Sequence, residues 1–143
     1  MPYSPLLIKP FRDEVTEVGI KELQTADDVD NFFTNENQKG LSLLFVNSVC
    51  GCAAANARPA LRIALQNDKK PDQSVSVFAG QDLEATAKAR SYIADIPPSS
   101  PSFALFKDGE LVYFIPKHRI EGRDAQAVAS DLKTVFEEYA SAT

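Results

Sequence analysis

Two cysteines separated by one glycine, Cys50-Gly51-Cys52, are the residues of this chain best suited to do chemistry. They are the only cysteines among 143 residues, too few for a disulfide scaffold. They follow the apolar segment 41–46 and precede a stretch whose apolar residues recur at helical spacing. A sulfur at the start of a helix faces unpaired backbone N–H groups and the positive end of the helix dipole. We therefore predict a lowered pKa for Cys50, which favours the reactive thiolate.

The spacing of apolar residues predicts alternating helices and strands. Segment 41–46 is apolar on both faces, which is typical of a central strand that helices cover on both sides. Alternation that ends in a hairpin and a helix predicts an α/β fold with a central mixed β-sheet flanked by helices on both faces. The predicted helices begin at Pro10, Thr25, the cysteines, Asp82 and Asp124, and the predicted strands cover 20–23, 41–46, 74–78, 103–106 and 111–115.

Individual residues predict where several of these elements begin, turn or bend. Thr25 and Asp82 are suited to cap the N-termini of helices, and Pro10 is suited to a first helical position. The pair Asp108-Gly109 is suited to a tight two-residue hairpin turn. Pro59 lies within the helix that follows the cysteines and lacks a backbone N–H, so we expect a kink there. Gly51 is expected to permit a cramped turn between the two sulfurs.

Charge and hydropathy exclude several functional classes. The net charge is −5 and the sequence pI is about 4.9, whereas a nucleic-acid-binding protein presents a basic face. No apolar run approaches the roughly 20 residues that a membrane-spanning helix needs. The first ten residues lack the basic start and apolar stretch of a secretory signal. These features predict a cytoplasmic protein that binds neither nucleic acid nor membrane.

The sequence alone leaves other interpretations open for the two cysteines, Arg58 and His118. The two cysteines could be small buried hydrophobic residues, or they could bind a soft metal ion together with His118. Structural zinc normally takes four Cys or His ligands, and two cysteines and one histidine are too few, so we predict no metal site. Arg58 could bind a carboxylate of a small thiol or lie on a solvated helix face. His118 is either a group that tunes a thiol or a surface residue.

Three segments resemble one known family. The order of elements, with cysteines after the first central strand and a proline before the hairpin, resembles the thioredoxin fold. Segments 46–60 and 116–123 and the element Ser100-Pro101-Ser102-Phe103 are similar to the bacilliredoxin family. The resemblance extends over nearly the whole chain. It implies a single thioredoxin-like domain over 1–143, with an N-terminal helical extension at about 5–35 and a catalytic core at about 41–140.

The resemblance also implies a function. Bacilliredoxins are thiol–disulfide oxidoreductases that act on mixed disulfides between proteins and the small thiol bacillithiol, with weak isomerase activity. By resemblance Cys50 is the nucleophile and Cys52 the resolving thiol, and the Ser100–Pro101 peptide bond is cis and faces them. Asn47, Asn56 and Arg58 flank the cysteines and are candidates for binding or positioning the substrate.

The cofactor and partners follow from the same resemblance. No tightly bound cofactor is implied, only a small-thiol co-substrate. The expected partners are bacillithiolated or disulfide-containing client proteins, and aromatic side chains on one face could support a weak homodimer. The alternative is a non-catalytic thioredoxin-like module that binds a metal ion or a client protein.

Overall fold

A five-stranded mixed sheet organises the computed structural model, which describes residues 3–34 and 38–140. The strands lie in the order β1-β3-β2-β4-β5. β1 and β2 run parallel to β3, whereas β4 is antiparallel to β2 and β5 is antiparallel to β4. The predicted mixed sheet is therefore confirmed. The strands are β1 Lys21–Glu22, β2 Leu41–Asn47, β3 Gln73–Phe78, β4 Ser102–Lys107 and β5 Glu110–Ile115.

Helices cover both faces of this sheet. α1, α3 and α5 contribute to the hydrophobic core on one face, and α2 and α4 contribute to a second core on the other face. A π-helical segment, Ala53–Ala57, leads into α3, and a short 3₁₀ turn, Lys117–Arg119, follows β5. The helices are α1 Pro5–Thr16, α2 Ala26–Phe32, α3 Arg58–Ala64, α4 Leu83–Ser91 and α5 Ala125–Tyr139. The predicted loop at 35–40 lies partly outside the described residues.

Burial on both faces of the sheet explains the apolar sequence of the central strand β2. All seven of its residues are buried. Because successive side chains in a strand point to opposite faces, Leu43 and Phe45 pack into the core with α3 and α5, while Leu44 and Val46 pack into the core with α2 and α4. The absence of alternation in this segment therefore reflects burial on both sides, as the sequence predicts.

Local capping and turn residues mostly behave as their types predict. The side chains of Thr25 and Asp124 each accept a hydrogen bond from the backbone N–H three residues later, at 3.0 and 2.8 Å. The hairpin turn uses Asp108 with φ 50° and Gly109 with φ 88°. Positive φ at both central residues is the geometry of a type I′ turn, whose twist matches that of the two strands.

The predicted start of the first helix at Pro10 is wrong. α1 begins five residues earlier, with Pro5 in the first turn and Pro10 inside the helix. Pro10 donates no hydrogen bond to the carbonyl of Leu6, but Leu6 is largely exposed, so water can solvate that carbonyl. The cost that normally excludes an interior proline is reduced at such a site.

The predicted cap at Asp82 is right in position and wrong in mechanism. Asp82 precedes α4, but its side chain makes no capping hydrogen bond. Its two carboxylate oxygens instead accept hydrogen bonds from the Arg12 guanidinium at 2.8 and 2.9 Å. Arg12 also donates to Glu22 at 2.6 Å. A bidentate charged partner competes successfully with a single backbone N–H.

The predicted irregularity at Pro59 takes a different form from a kink. The backbone upstream of Pro59 adopts the π-helical segment Ala53–Ala57 before regular α-helix resumes at Arg58. Such widened turns are rare and occur often at functional sites. The irregular part of the helix is therefore the part next to the cysteines.

Candidate active site

The topology of the sheet brings four loops to one edge, which is the edge that contains the C-terminal ends of β2 and β3. β2 and β3 end at this edge because they are parallel, β4 begins there because it is antiparallel to β2, and β5 ends there because it is antiparallel to β4. A cleft of about 370 Å³ lies at this edge. The residues that line the cleft include Ser48, Cys50, Gly80, Arg90, Ser100 and Lys117.

Cys50 occupies the start of the helix, as predicted. Its carbonyl accepts hydrogen bonds from the backbone N–H groups of Ala53 and Ala54 at 3.0 and 3.3 Å, which is the arrangement of an N-cap residue. Cys50 and Cys52 are both half-buried free thiols. Their Sγ atoms are 2.8 Å apart, so the two sulfurs interact directly.

The surroundings of Cys50 stabilise its thiolate. A hydrogen bond from the Cys52 thiol is the largest effect and lowers the pKa of Cys50, and burial opposes this change. The backbone N–H of Cys52, the positive charge of Lys117 and the backbone N–H of Ala53 lower the pKa further. The predicted direction is confirmed, but the neighbouring thiol contributes more than the N–H groups at the start of the helix.

The surroundings of Cys52 have the opposite effect. Burial, the hydrogen bond to Cys50 and the negative charge of the Cys50 thiolate raise the pKa of Cys52 to about 11. Cys52 therefore keeps its proton near neutral pH and can donate it in a hydrogen bond to the Cys50 sulfur. Of the two thiols, Cys50 is therefore the one that ionises more easily, and Cys52 is the proton-bearing partner.

Two residues at the end of β2 shape the turn that presents Cys50. The Ser48 hydroxyl accepts a hydrogen bond from the backbone N–H of Cys50 at 3.1 Å. The Asn47 side-chain oxygen accepts one from the backbone N–H of Ser48 at 2.9 Å. Short polar side chains that bond to the backbone two residues later are typical of tight turns.

Arg58 occupies neither of the positions considered from sequence. Its side chain is 1% exposed, so it lies neither on a solvated face nor in the cleft. It donates hydrogen bonds to the Asn47 side-chain oxygen and the Ser48 carbonyl, both at 3.0 Å, and forms an ion pair with Glu14. Its guanidinium carbon also lies 4.7 Å from the centre of the Phe11 ring. Arg58 is a positioning residue for the turn that carries Cys50.

The two asparagines likewise contact the protein backbone. Buried Asn47 donates a hydrogen bond to the carbonyl of Phe11 at 3.3 Å. Asn56 donates one to the carbonyl of Arg123, in the loop before α5. These contacts support positioning of the cysteine segment and give neither side chain a contact in the cleft.

The loop before β4 forms another wall of the cleft. The Ser100–Pro101 peptide bond is cis, as predicted, and Ser100 lines the cleft together with Cys50. The hydroxyl of Ser99 accepts a hydrogen bond from the backbone N–H of Lys117 at 2.6 Å. This bond joins the proline loop to the end of β5 and fixes the residue whose charge acts on Cys50.

Gly51 has an ordinary helical role. It is not among the glycines with positive φ, and a Cβ built on it would meet no atom within 4 Å. The cramped turn that Gly51 was expected to permit is therefore not found. The helix starts at this residue with a backbone that any L-residue can adopt.

His118 is separate from the cysteines. It lines a groove with Pro97 and Pro98 and is absent from the residues that line the cysteine cleft. Within residues 3–34 and 38–140, no three His, Cys, Asp or Glu side chains are grouped so as to hold a metal ion. In the same residues we find no helix with the length and apolar character needed to cross a bilayer.

Comparison with known sequences decides the family. A family model described as Disulphide isomerase matches residues 3–140. A bacilliredoxin of Salinibacter ruber is 51% identical over 140 residues, which cover 97% of this chain and 82% of the relative. A bacilliredoxin of Staphylococcus haemolyticus is 50% identical over 137 residues, covering 95% and 94%. The chain belongs to the bacilliredoxin family.

Solved structures show that this bacilliredoxin-family chain has the thioredoxin fold. A mutant thioredoxin of Halobacterium salinarum aligns with a TM-score of 0.56 and 20% identity, over 88% of this chain and 95% of that one. The oxidised thioredoxin of Plasmodium falciparum aligns with a TM-score of 0.57 and 19% identity, over 86% and 100%. The predicted fold is confirmed. Family and fold together support a thiol–disulfide oxidoreductase role.

Three residues around the bacilliredoxin thiols are missing from the sequence-based candidates. Ser48 carries a detectable signal, because a serine two residues before a helix start is a common turn residue. Lys117 and Arg90 carry none, since each reaches the cleft from an element distant in sequence. Only the topology of the sheet places them beside Cys50.

We predict that the two glycines Gly51 and Gly109 respond oppositely to alanine. Gly109→Ala should lower the free energy of unfolding by about 1–2 kcal/mol, because the left-handed backbone is costly for residues with a Cβ. Gly51→Ala should leave that free energy unchanged or raise it by up to about 1 kcal/mol. Urea unfolding of both variants measures the difference, and equal losses would contradict this description of the two turns.

We predict that Arg58→Met destabilises the fold and the cysteine turn. The carbonyl of Ser48 loses a charged donor inside the protein, which should cost about 2–4 kcal/mol in the free energy of unfolding. Alkylation of Cys50 should also lose its single, well-defined rate. The matched control is Arg62→Met, because Arg62 is exposed on the same helix. Equal stability of the two variants in urea would show that the buried contacts contribute nothing.

We predict that the pKa of Cys50 rises in both Cys52→Ala and Lys117→Gln, and rises more in Cys52→Ala. The first variant removes the largest stabilising interaction of the thiolate, and the second removes a positive charge whose effect is smaller. The pH dependence of the iodoacetamide reaction at Cys50, followed by mass spectrometry, gives each pKa. Arg62→Gln should not shift the curve. A curve for Cys52→Ala that coincides with that of the unmodified chain would refute the assignment of the hydrogen bond.

Proposed function

We propose that this chain is a thiol–disulfide oxidoreductase that removes bacillithiol from mixed disulfides with client proteins. Cys50 is the nucleophile and Cys52 the resolving thiol. The observation that carries the proposal is the pair of Sγ atoms 2.8 Å apart, of which that of Cys50 belongs to a residue lining the cleft. The pKa of one thiol in this pair is lowered and that of the other is raised. A metal-binding module would need no such asymmetry.

In the first step the Cys50 thiolate attacks the bacillithiol sulfur of the mixed disulfide. A new disulfide forms between Cys50 and bacillithiol, the original disulfide breaks, and the client sulfur leaves with the electron pair as a thiolate. The attacking sulfur must be ionised for this exchange. The hydrogen bond from Cys52 and the charge of Lys117 lower the pKa of Cys50 and so favour that form.

In the second step Cys52 attacks Cys50. Once Cys50 is part of a disulfide, its sulfur carries no negative charge and no longer accepts a hydrogen bond from the Cys52 thiol. Two of the three causes that raise the pKa of Cys52 are then removed, and only burial remains. Cys52 gives up its proton more easily, a Cys50–Cys52 disulfide forms, and bacillithiol leaves as a thiolate that takes up a proton. The pair has then supplied two electrons, and a reducing thiol must return them.

The same nucleophile supports weak isomerase activity. Attack of the Cys50 thiolate on a client disulfide gives a mixed disulfide with the client, which a second client thiol or Cys52 can resolve. The partners proposed here are bacillithiolated or disulfide-containing client proteins and a low-molecular-weight thiol in the cytoplasm. Both reactions use only thiols of the protein and its substrates, so the proposal includes no further cofactor.

We predict opposite arrests in two cysteine variants. Cys50→Ser should release no bacillithiol from a bacillithiolated client protein, because the first step lacks its nucleophile. Cys52→Ala should release the client and keep bacillithiol attached to Cys50, because the second step lacks its resolving thiol. Intact-protein mass spectrometry with equimolar client distinguishes the two products.

The control is the unmodified chain, which should end as the Cys50–Cys52 disulfide with free bacillithiol. Full release by Cys50→Ser would refute the assignment of the nucleophile. If the unmodified chain binds the client and releases no bacillithiol, the alternative of a client-binding module without turnover is correct.

A further inference from the structure

Two cationic side chains line the cleft that holds Cys50. Arg90 reaches it from the last turn of α4, and Lys117 reaches it from the 3₁₀ turn that follows β5. Neither forms an ion pair with any carboxylate in the described part of the chain. Most other arginines do: ion pairs are formed by Arg12, Arg58, Arg119 and Arg123. The exception, Arg62, is exposed.

The cleft is positive in a protein whose net charge is −5. Of the described residues that line it, none is acidic. Arg90 is half-buried, and burial lowers its pKa without any opposing effect from a carboxylate. A partly desolvated cation without a counter-ion is unfavourable until an anion arrives. The two cations of the cleft therefore lack a counter-ion in the described part of the protein alone.

The position of Arg90 near the end of a helix does not by itself account for this arrangement. A cation in the last turn is favourable next to the negative end of the helix dipole, and an exposed side chain is sufficient for that. Lys88, in the same turn of α4, is half-buried as well, but it pairs with the carboxylate of Asp30. Arg90 instead faces the cleft that contains the reactive sulfur.

We propose that Arg90 and Lys117 form an anion-binding site that holds a carboxylate of the small thiol while its sulfur lies at Cys50. This proposal rests on the proposed function and names the class of thiol: an anionic one. A guanidinium presents a planar fork that matches a carboxylate, and the Lys117 ammonium adds a point charge. The cleft volume of about 370 Å³ suits a small molecule.

The site has a direct consequence for the first step. A carboxylate held by Arg90 and Lys117 places the bacillithiol sulfur, rather than the client sulfur, next to Cys50. Attack then transfers the small thiol to Cys50 and releases the client. Arg90 is thus a specificity residue that decides which of the two sulfurs of a mixed disulfide is attacked.

Alkylation of Cys50 with two reagents of equal size tests the site. Iodoacetate carries a carboxylate and iodoacetamide is uncharged, so the ratio of their rate constants reports attraction of an anion to the cleft. Both reagents react with the same thiolate, so changes in the pKa of Cys50 cancel in this ratio. Mass spectrometry assigns the label to Cys50. In Arg90→Gln we expect the ratio to fall roughly threefold to tenfold, the range for one partly screened charge.

Matched variants complete the experiment. Lys117→Gln should also lower the ratio, Arg90→Lys should retain most of it, and Arg62→Gln should leave it unchanged. Raising the ionic strength should lower the ratio in the unmodified chain, because salt screens the attraction. An unchanged ratio in folded Arg90→Gln overturns the proposal. If that variant does not fold, absence of salt dependence in the unmodified chain overturns it.

The test separates this site from the proposed function. One outcome is that the ratio of rate constants falls in Arg90→Gln although the unmodified chain releases no bacillithiol. That outcome supports the anion site and overturns bacillithiol as its ligand. Release of bacillithiol by a chain whose ratio ignores Arg90 supports the reaction and overturns the site. For the second readout, the same client is presented as a mixed disulfide with bacillithiol or with uncharged 2-mercaptoethanol. Arg90→Gln should slow release of bacillithiol more than release of 2-mercaptoethanol.

Discussion

The geometry of the site depends on the hydrogen bonds and the ion pair that the buried guanidinium of Arg58 makes. A charge taken out of water must be paired and hydrogen-bonded, so each group that satisfies Arg58 has a restricted position. Those groups come from α1, through Glu14, and from the end of β2, through Asn47 and Ser48. The Ser48 hydroxyl in turn accepts a hydrogen bond from the backbone N–H of Cys50. The backbone at Cys50 is therefore linked through Ser48 to a cation that does not line the cleft.

The pKa values of the two thiols differ because the two sulfurs have different surroundings. Cys50 lies at the start of the helix, where donors converge on its sulfur, and Cys52 lies further along the helix, where burial is the strongest influence on its pKa. A proton shared by two sulfurs goes to the one whose ionised form is less stable. Exchange of their roles would require a thiolate at the more buried sulfur and a proton on the better solvated one. Which of the two thiols ionises more easily thus depends on the contact between the two sulfurs and on how deeply each is buried.

The sequence predicts elements whose determinants are local, and it fails where a distant residue decides. Strand β2, the cap at Thr25 and the turn at Asp108-Gly109 depend on neighbours in the chain, and all three are confirmed. The capping role of Asp82 fails because Arg12, 70 residues away, binds its carboxylate. Arg58 could not be placed because its ion-pair partner lies 44 residues away. The cysteine pair is recognisable from its motif, whereas the cationic part of the cleft emerges only when α4 and β5 are brought to the same edge.

The N-terminal helix belongs to the support of the site as much as the segment after it. On one side α1 holds the end of β2, because the carbonyl of Phe11 accepts a hydrogen bond from Asn47 and Glu14 pairs with Arg58. On the other side Arg12 binds Asp82, directly before α4. Since the end of β2 leads to Cys50 and α4 carries Arg90, a single helix braces both walls of the cleft. α1 is therefore bonded both to the segment that leads to Cys50 and to the start of the helix that carries Arg90, while the rest of α4 is held by its packing in the second core.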